Sequence, residues 1–247
     1  MILPTPITAN ALLSALAPSD LALLVPHFRG TAYEVGQTIQ EAEAPVEQVW
    51  FPLSGMIALG IVTLSGTIVE TAVVGCEGVV GALVGLGALK AFCRAVVVIQ
   101  GHGVAISALR FREIAGGSES IRNLVLNYKE VLLSQAQQTA ACNAMHSLDQ
   151  RLARWLLQTL DRVQGKTVVL TQELIGELLG VRRTSVTAAA QELERKRFIR
   201  YGRANIEILD REGLESVACE CYACIRRRET DFARAIGQSK VASTTVS

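Results

Sequence analysis

The sequence predicts an α+β chain: a glycine-punctuated antiparallel β domain, one long helix, and a small domain of winged helix-turn-helix type. Three observations carry this. Residues 33–106 hold short runs rich in Val, Ile and Thr that glycines interrupt; 118–145 contain neither Pro nor Gly; and 170–209 place two short helical patterns around Gly180, ahead of a basic hairpin. With 247 residues, 50% hydrophobic and 19% charged, the chain has material for about two packed domains rather than a disordered segment. The expected division is 1–117, 118–146, 147–213 and a tail over 214–247.

The first thirty residues read as one or two short helices, with Pro18-Ser19-Asp20 as a start signal. Val49-Trp50-Phe51 is a strand. Residues 56–64 and 67–74 form a β-rich pair about Ser65-Gly66, a hairpin signature. Residues 95–99 and 103–106 continue the series, with Gly101-His102-Gly103 as the break. Strands this short and this numerous predict a sandwich, roll or barrel. From Ser118, a possible cap, Ile121, Val125, Tyr128, Leu132 and Gln135 recur at steps of three or four, flanked by Leu124 and Val131. A helix of roughly seven turns follows, and its stripe is expected to pair with a symmetry mate. A second helix over 149–160 buries Leu152, Trp155, Leu156 and Leu160, with Arg151, Arg154 and Arg162 off that face.

The net charge of +1 hides an asymmetry: residues 1–150 carry −4 and 151–247 carry +5. Only the C-terminal part is expected to meet a polyanion. The N-terminus shows no secretory signal. The apolar stretch 72–89 holds Glu77 and five glycines, which suits turns better than a membrane span. Six cysteines without framework spacing predict reduced thiols and a cytoplasmic, membrane-free protein. Neither a phosphate-binding Walker loop nor a G-x-S-x-G elbow is present, and the three histidines (27, 102, 146) are dispersed, so a non-enzymatic role is expected.

The informative stretch is 170–209. Thr171 is a good N-cap and Glu173 suits the first helical turn. Leu174, Ile175, Leu178 and Leu179 form a buried stripe, and Gly180 stops the helix where a left-handed backbone is needed. Val186, Ala189, Ala190 and Leu193, spaced 0, 3, 4 and 7, form the inner face of a second helix. Its outer face carries Arg183, Thr184, Thr187, Ala188 and Gln191, and its first turn spans Arg182 to Ser185. In a helix-turn-helix this turn enters the major groove first, where an Arg bonds guanine bidentately and Thr or Ser hydroxyls serve base or phosphate. The strands around Gly202-Arg203-Ala204 make a basic wing for the adjacent phosphates. Double-stranded DNA is therefore the expected partner, through Thr171, Gln172, Arg182, Arg183, Thr184, Ser185, Thr187, Gln191 and Arg203.

Residues 171–176 and 180–186, followed by Leu193-Glu194 and Ile199, resemble the recognition segment of the Crp/Fnr family of bacterial regulators. Gly36, the Ser65-Gly66 hairpin and Gly78 to Gly81 are similar to its cyclic-nucleotide-binding β-roll, and 118–145 to its dimer helix. The resemblance implies a jelly-roll-type β-roll sensor over 1–117 and a homodimer reading a two-fold-related DNA site. It also implies RNA polymerase as a protein partner and an unidentified small effector. Arg183 falls where the family places its principal guanine-reading Arg. Thr184 stands where Glu is common, Ala188 where a second base contact falls, and Arg182 where a capping Ser is usual, so the family's consensus operator does not carry over.

The effector pocket implied by the resemblance comprises Gly81, Ala82, Cys93 and Arg94. Ala82 replaces the glutamate that holds ribose, and Cys93-Arg94 replaces the Arg-Ser pair that holds phosphate, so cyclic AMP is disfavoured. No cysteine precedes Cys76, against the family's N-terminal iron–sulfur cluster. Cys219, Cys221 and Cys224 offer three local thiols without a nearby His, and are expected to be packed thiols on a terminal helix, with no metal and no cofactor. Arg226-Arg227-Arg228 is read as a solvated basic face. Two alternatives stay open: a thiol or metal sensor at those cysteines with DNA binding as its output, and a ligand-binding module for a protein partner.

Overall fold

The structure, a computed structural model, describes residues 5–64, 66–86, 90–163, 165–202 and 205–244, the side chains at 84, 85 and 238–244 excepted. Ser65 of the expected hairpin turn and Arg203 of the expected wing tip lie outside these residues. Helices α1 (Ala11–Ala15) and α2 (Pro18–Leu24) open the chain, the latter with Pro18 in its first turn. Buried Asn10 caps α1 by accepting from Leu12 N and Leu13 N, and its Nδ2 donates to Pro52 O and Gly78 O. One polar side chain thus ties the N-terminus to the β domain.

Strands β1 (Arg29–Tyr33), β2 (Thr38–Gln40), β3 (Gln48–Pro52), β4 (Met56–Val62) and β5 (Ile68–Val74) precede the single-turn α3 (Ala82–Gly85); β6 (Arg94–Ile99) and β7 (Gly101–Ser107) follow it. They form two antiparallel sheets, ordered β1-β7-β3 and β2-β6-β4-β5, which face each other as the expected β-roll. The hairpin β4–β5 is the one the sequence predicts. The glycines at 101 and 103 do not break the chain but lie inside β7. A Cβ at Gly101 would sit 2.3 Å from Ser54 O, and one at Gly103 2.5 Å from Phe51 O. They are strand glycines that permit close backbone approach.

The larger sheet is buried on both faces. Ile57, Leu59, Val74, Ala95 and Val97 point into the roll, whereas Met56, Ala58, Val73, Val96 and Val98 pack against the C-terminal domain. This two-sided burial explains why β4 and β6 read as unbroken apolar runs instead of alternating.

Helix α4 (Ala108–Gly117), which the sequence reading misses, leads into α5 (Glu119–Met145), capped by Ser118 Oγ accepting from Ile121 N at 3.2 Å. The stripe assigned to a symmetry mate lies elsewhere: Ile121, Val125 and Tyr128 are buried in the chain's own core. Gln135 Oε1 accepts from Val73 N. The face of α5 left open carries Leu126 and Leu133, 48% and 44% exposed and seven residues apart.

The C-terminal domain comprises α6 (Leu148–Leu160), β8 (Thr167–Val168), α7 (Gln172–Leu179), α8 (Arg183–Arg195), β9 (Ile199–Tyr201), β10 (Ile206–Ile208) and α9 (Arg211–Val217), with sheet order β8-β10-β9. A full capping box, Ser147 with Gln150, starts α6. Within the segment 214–247, the terminal helix expected to carry the cysteines is α10 (Cys221–Thr244), which runs along α5.

Arg151, Arg154 and Arg162, expected off the buried face, are all buried. Arg154, 1% exposed, donates to Gln158 Oε1, and Arg151 to Leu179 O. Arg162 bridges Glu77 of the β-roll and Glu229 of α10. Nearby, Trp155 Nε1 donates to buried Glu70 Oε2 at 2.9 Å. Buried ion pairs contribute little net stability, because desolvation offsets attraction. The shared apolar cluster therefore holds the two domains together, and the charged groups fix their register. Among the described residues, no helix is long and apolar enough to cross a membrane.

Candidate nucleic-acid interface

The corner between α7 and α8 is built as the residues dictate. Thr171 Oγ1 accepts from Leu174 N at 3.3 Å, capping α7. Gly180 takes the left-handed conformation (φ 66°, ψ 37°), and Val181 N donates to Gly176 O at 2.8 Å while Gly180 N donates to Glu177 O at 3.0 Å. This pair of bonds is the Schellman arrangement. Gly176 has a role its helical pattern does not announce. A Cβ there would lie 3.0 Å from Val181 O and 3.5 Å from Arg183 N, so the glycine lets the start of α8 approach α7. Ile175, Leu178 and Leu179 meet Val186, Ala189, Ala190 and Leu193 in one buried cluster, as the 0, 3, 4, 7 spacing requires.

The opposite face of α8 is open. Arg182, Arg183, Thr184 and Gln191 are exposed, and Ser185 and Thr187 are half-buried. Arg182 is the N-cap residue of α8 but no side chain caps the helix, which leaves its positive end toward solvent. Gln172 reaches across from α7: its Oε1 accepts from Arg183 Nε at 3.2 Å and from the Thr187 hydroxyl at 2.8 Å. These bonds hold the Arg183 guanidinium at the helix start. Its two terminal nitrogens, the pair that matches guanine O6 and N7, make no bond among the described residues. Thr171 and Gln172 thus serve α7 and Arg183 in the free chain. In the wing, β9 pairs with β10 from Ile206↔Tyr201 to Ile208↔Ile199, and Gly202 N donates to Asn205 O. Arg203, expected at the wing tip, lies outside the described residues.

Gly81 and Cys93 meet at Gln40: a Cβ at Gly81 would lie 3.6 Å from Gln40 Oε1, and Gln40 Nε2 donates to the Cys93 carbonyl at 3.0 Å. A cleft of about 310 Å³ opens in the β-roll, and among the described residues its charged lining residues are Glu41 and Glu47. None of Gly81, Ala82, Cys93 and Arg94 lines it. Gly81 (φ 83°) is required by packing, because a Cβ would lie 2.6 Å from Gln48 O. Ala82 is buried in the core, the Cys93 carbonyl accepts from Gln40 Nε2, and Arg94 is paired with Glu41 at 2.8 Å. Glu77, read as a turn residue, occupies a turn, accepts from Gly75 N and also pairs with Arg162.

Of the C-terminal thiols, Cys219 and Cys221 are buried and Cys224 is half-buried. The expectation that no His lies nearby fails. His146, at the end of α5, approaches Cys221, and Cys142 from the same helix joins them. Their ligand atoms converge from segments about 75 residues apart, a separation that sequence spacing cannot bridge. Arg226, Arg227 and Arg228 are exposed as expected, with Arg226 stacked over the Tyr222 ring at 5.6 Å.

Residues 150–217 match the Crp-like helix-turn-helix domain family. No curated protein sequence matches the chain. Among solved structures, it is similar to FixK2 from Bradyrhizobium japonicum, with TM-score 0.67 and 17% identity over 78% of this chain and 98% of that one. It is similar also to TTHA1359, a Crp/Fnr-family regulator from Thermus thermophilus, with TM-score 0.62 and 18% identity over 77% and 98%. CLP, a c-di-GMP-responsive global regulator from Xanthomonas campestris, gives TM-score 0.60 and 13% identity over 78% and 99%. Residues 150–217 are thus a Crp-like helix-turn-helix domain, carried in a chain with the fold of the Crp/Fnr transcription regulators.

Proposed function

We propose that the protein is a non-enzymatic, homodimeric transcription regulator that reads a two-fold-related duplex site with α8 under control of its β-roll. The observation that carries this is the open polar face of α8, with Arg183 braced by Gln172 at an uncapped helix start. Such an end attracts phosphate, and the guanidinium beside it matches guanine. The dimer contact falls to the free face of α5, where Leu126 and Leu133 recur at heptad spacing. Two copies of α8 would then read half-sites about 34 Å apart. Thr184, Ser185, Thr187 and Gln191 supply further base or phosphate contacts, with Arg182 and Arg203 on the flanking phosphates. RNA polymerase is the protein partner of this reading, and the cytoplasm its compartment.

Glu41 and Arg94 neutralise each other, so the cleft, which Glu47 also lines, offers a cyclic phosphate no free cation among the described residues. The effector is accordingly not cyclic AMP, and an uncharged or cationic small molecule fits the cleft better. The test is selection of genomic duplexes by the purified full chain at several salt concentrations. The reading predicts enriched sites with two-fold symmetry, retention that weakens steeply with salt as phosphate contacts release counterions, and no response to cyclic AMP. Failure to retain any duplex would replace it with the protein-partner module.

A further inference from the structure

We propose that Cys142, His146, Cys219 and Cys221 form a closed four-coordinate site for one zinc-class divalent cation. All four ligand atoms lie within 4.8 Å of one another. Cys142 Sγ is 3.5 Å from Cys219 Sγ, and Cys221 Sγ is 3.6 Å from His146 Nδ1. A tetrahedral ion with metal–sulfur bonds of about 2.3 Å and metal–nitrogen bonds of about 2.0 Å spaces its donors roughly 3.5–3.8 Å apart. These two separations match that spacing, and the other pairs of donors lie within 4.8 Å, close enough to draw in around one ion. Donors this close enclose a single ion and leave no room for an iron–sulfur cluster. The set, three thiols and one imidazole, is that of structural zinc sites, and no fifth position stays open for chemistry.

The surroundings are those of a ligand set. His146 turns Nδ1 toward the thiols, while its Nε2 meets Glu220 Oε2 at 3.2 Å. A carboxylate behind the imidazole is what orients a metal-bound histidine and fixes its tautomer. Cys142, Cys219 and Cys221 are buried, whereas His146 is partly open on its outer side, which gives the ion a way in. Gln138 Nε2 donates to Cys221 Sγ at 3.0 Å, a bond that strengthens when the sulfur is a thiolate. Three thiolates, a neutral imidazole and a dication carry one net negative charge, and Arg151 and Arg154 both act electrostatically on this group. On binding, the three thiol protons pass to solvent. Cys224 takes no part.

The ion would join the end of α5 to the start of α10, and so brace the connection between the β-roll and the DNA-reading domain. This site stands apart from the DNA reading, since metal content is measured without DNA. The experiment is metal analysis of the full chain purified under reducing conditions, followed by replacement with Co²⁺. Expected are one zinc per chain, and a cobalt form with tetrahedral ligand-field bands and a thiolate charge-transfer band. Cys142→Ser and Cys219→Ser lose the bands, and Cys224→Ser keeps full stoichiometry. Glu220→Gln, at the surface, keeps the stoichiometry but weakens affinity by about 10–100-fold. A folded wild-type chain without bound metal, iron with sulfide in its place, a Cys142–Cys219 disulfide, or undiminished binding by Cys142→Ser would each overturn the proposal.

Discussion

The helix-turn-helix corner and the junction between its domain and the β-roll are both buried, but different physics holds them. At the corner, Val186, Ala189, Ala190 and Leu193 lock onto α7 through apolar contact at helical spacing. At the junction, an apolar cluster is threaded by charge: Arg162 between Glu77 and Glu229, and Glu70 beneath Trp155. Apolar contacts tolerate change gradually, whereas a buried charge stripped of its partner has no good alternative. The corner and the sheet share one apolar cluster, so the reading surface is coupled to the β-roll through apolar contact, and the ion triad is the electrically sensitive part of that link.

The largest effect expected follows from breaking the ion triad. Arg162→Ala leaves Glu77 and Glu229 facing each other without the shared cation, at a cost of about 3–5 kcal/mol. For a chain of this size the melting temperature should fall by roughly 10 °C. A shift of only a degree or two in calorimetry would mean that the junction is not held in register by charge.

Glu70 should make the junction pH-dependent. Burial pushes its carboxyl from 4.5 to about 7, partly offset by the Trp155 hydrogen bond and by Arg154 and Arg162. The folded state thus binds this proton more tightly than the unfolded chain. Its contribution is complete below the ordinary carboxylate range and is lost as pH rises through about 7, on the order of 3 kcal/mol in all. Glu70→Gln keeps an acceptor for Trp155 and removes the titration, so its melting temperature should decline less than wild type between pH about 5 and about 8. Parallel profiles for the two proteins would refute the assignment.

The smallest effect belongs to the corner. Thr171→Ala deletes the cap on Leu174 N and should cost about 1 kcal/mol without altering the junction. Urea titration reads this as a lower midpoint with an unchanged slope. A change in slope would show that the corner and the junction unfold as one unit.

The same contrast explains what was legible in the sequence. The corner's determinants are local: a cap at Thr171, a left-handed glycine at 180, and a spacing of 0, 3, 4 and 7. All are visible within 25 residues. The junction's determinants are pairs separated by 85 residues, Glu70 with Trp155 and Glu77 with Arg162, and no periodicity announces them. Arg151, Arg154 and Arg162 look like surface charge until their partners Leu179, Gln158, Glu77 and Glu229 are in place. The stripe of α5 is legible as the buried side of a helix, but its partner is the chain's own core, because α10 and the β-roll flank that helix. The unbroken apolar runs of β4 and β6 already carried the signal for two-sided burial. The metal-type cluster was hidden because Cys142 and His146, at the end of α5, are far in sequence from Cys219 and Cys221 at the start of α10.

The central claim is that α8 presents Arg183 to a base edge while its inner face is fixed to α7. It is tested most directly by the affinity of Arg183→Ala for a duplex retained by the wild-type chain, with the melting temperature measured in parallel. The account predicts a loss of about 1–3 kcal/mol, roughly 5- to 150-fold, concentrated on the cognate duplex and without loss of stability. Equal affinity of the two proteins for that duplex would contradict it.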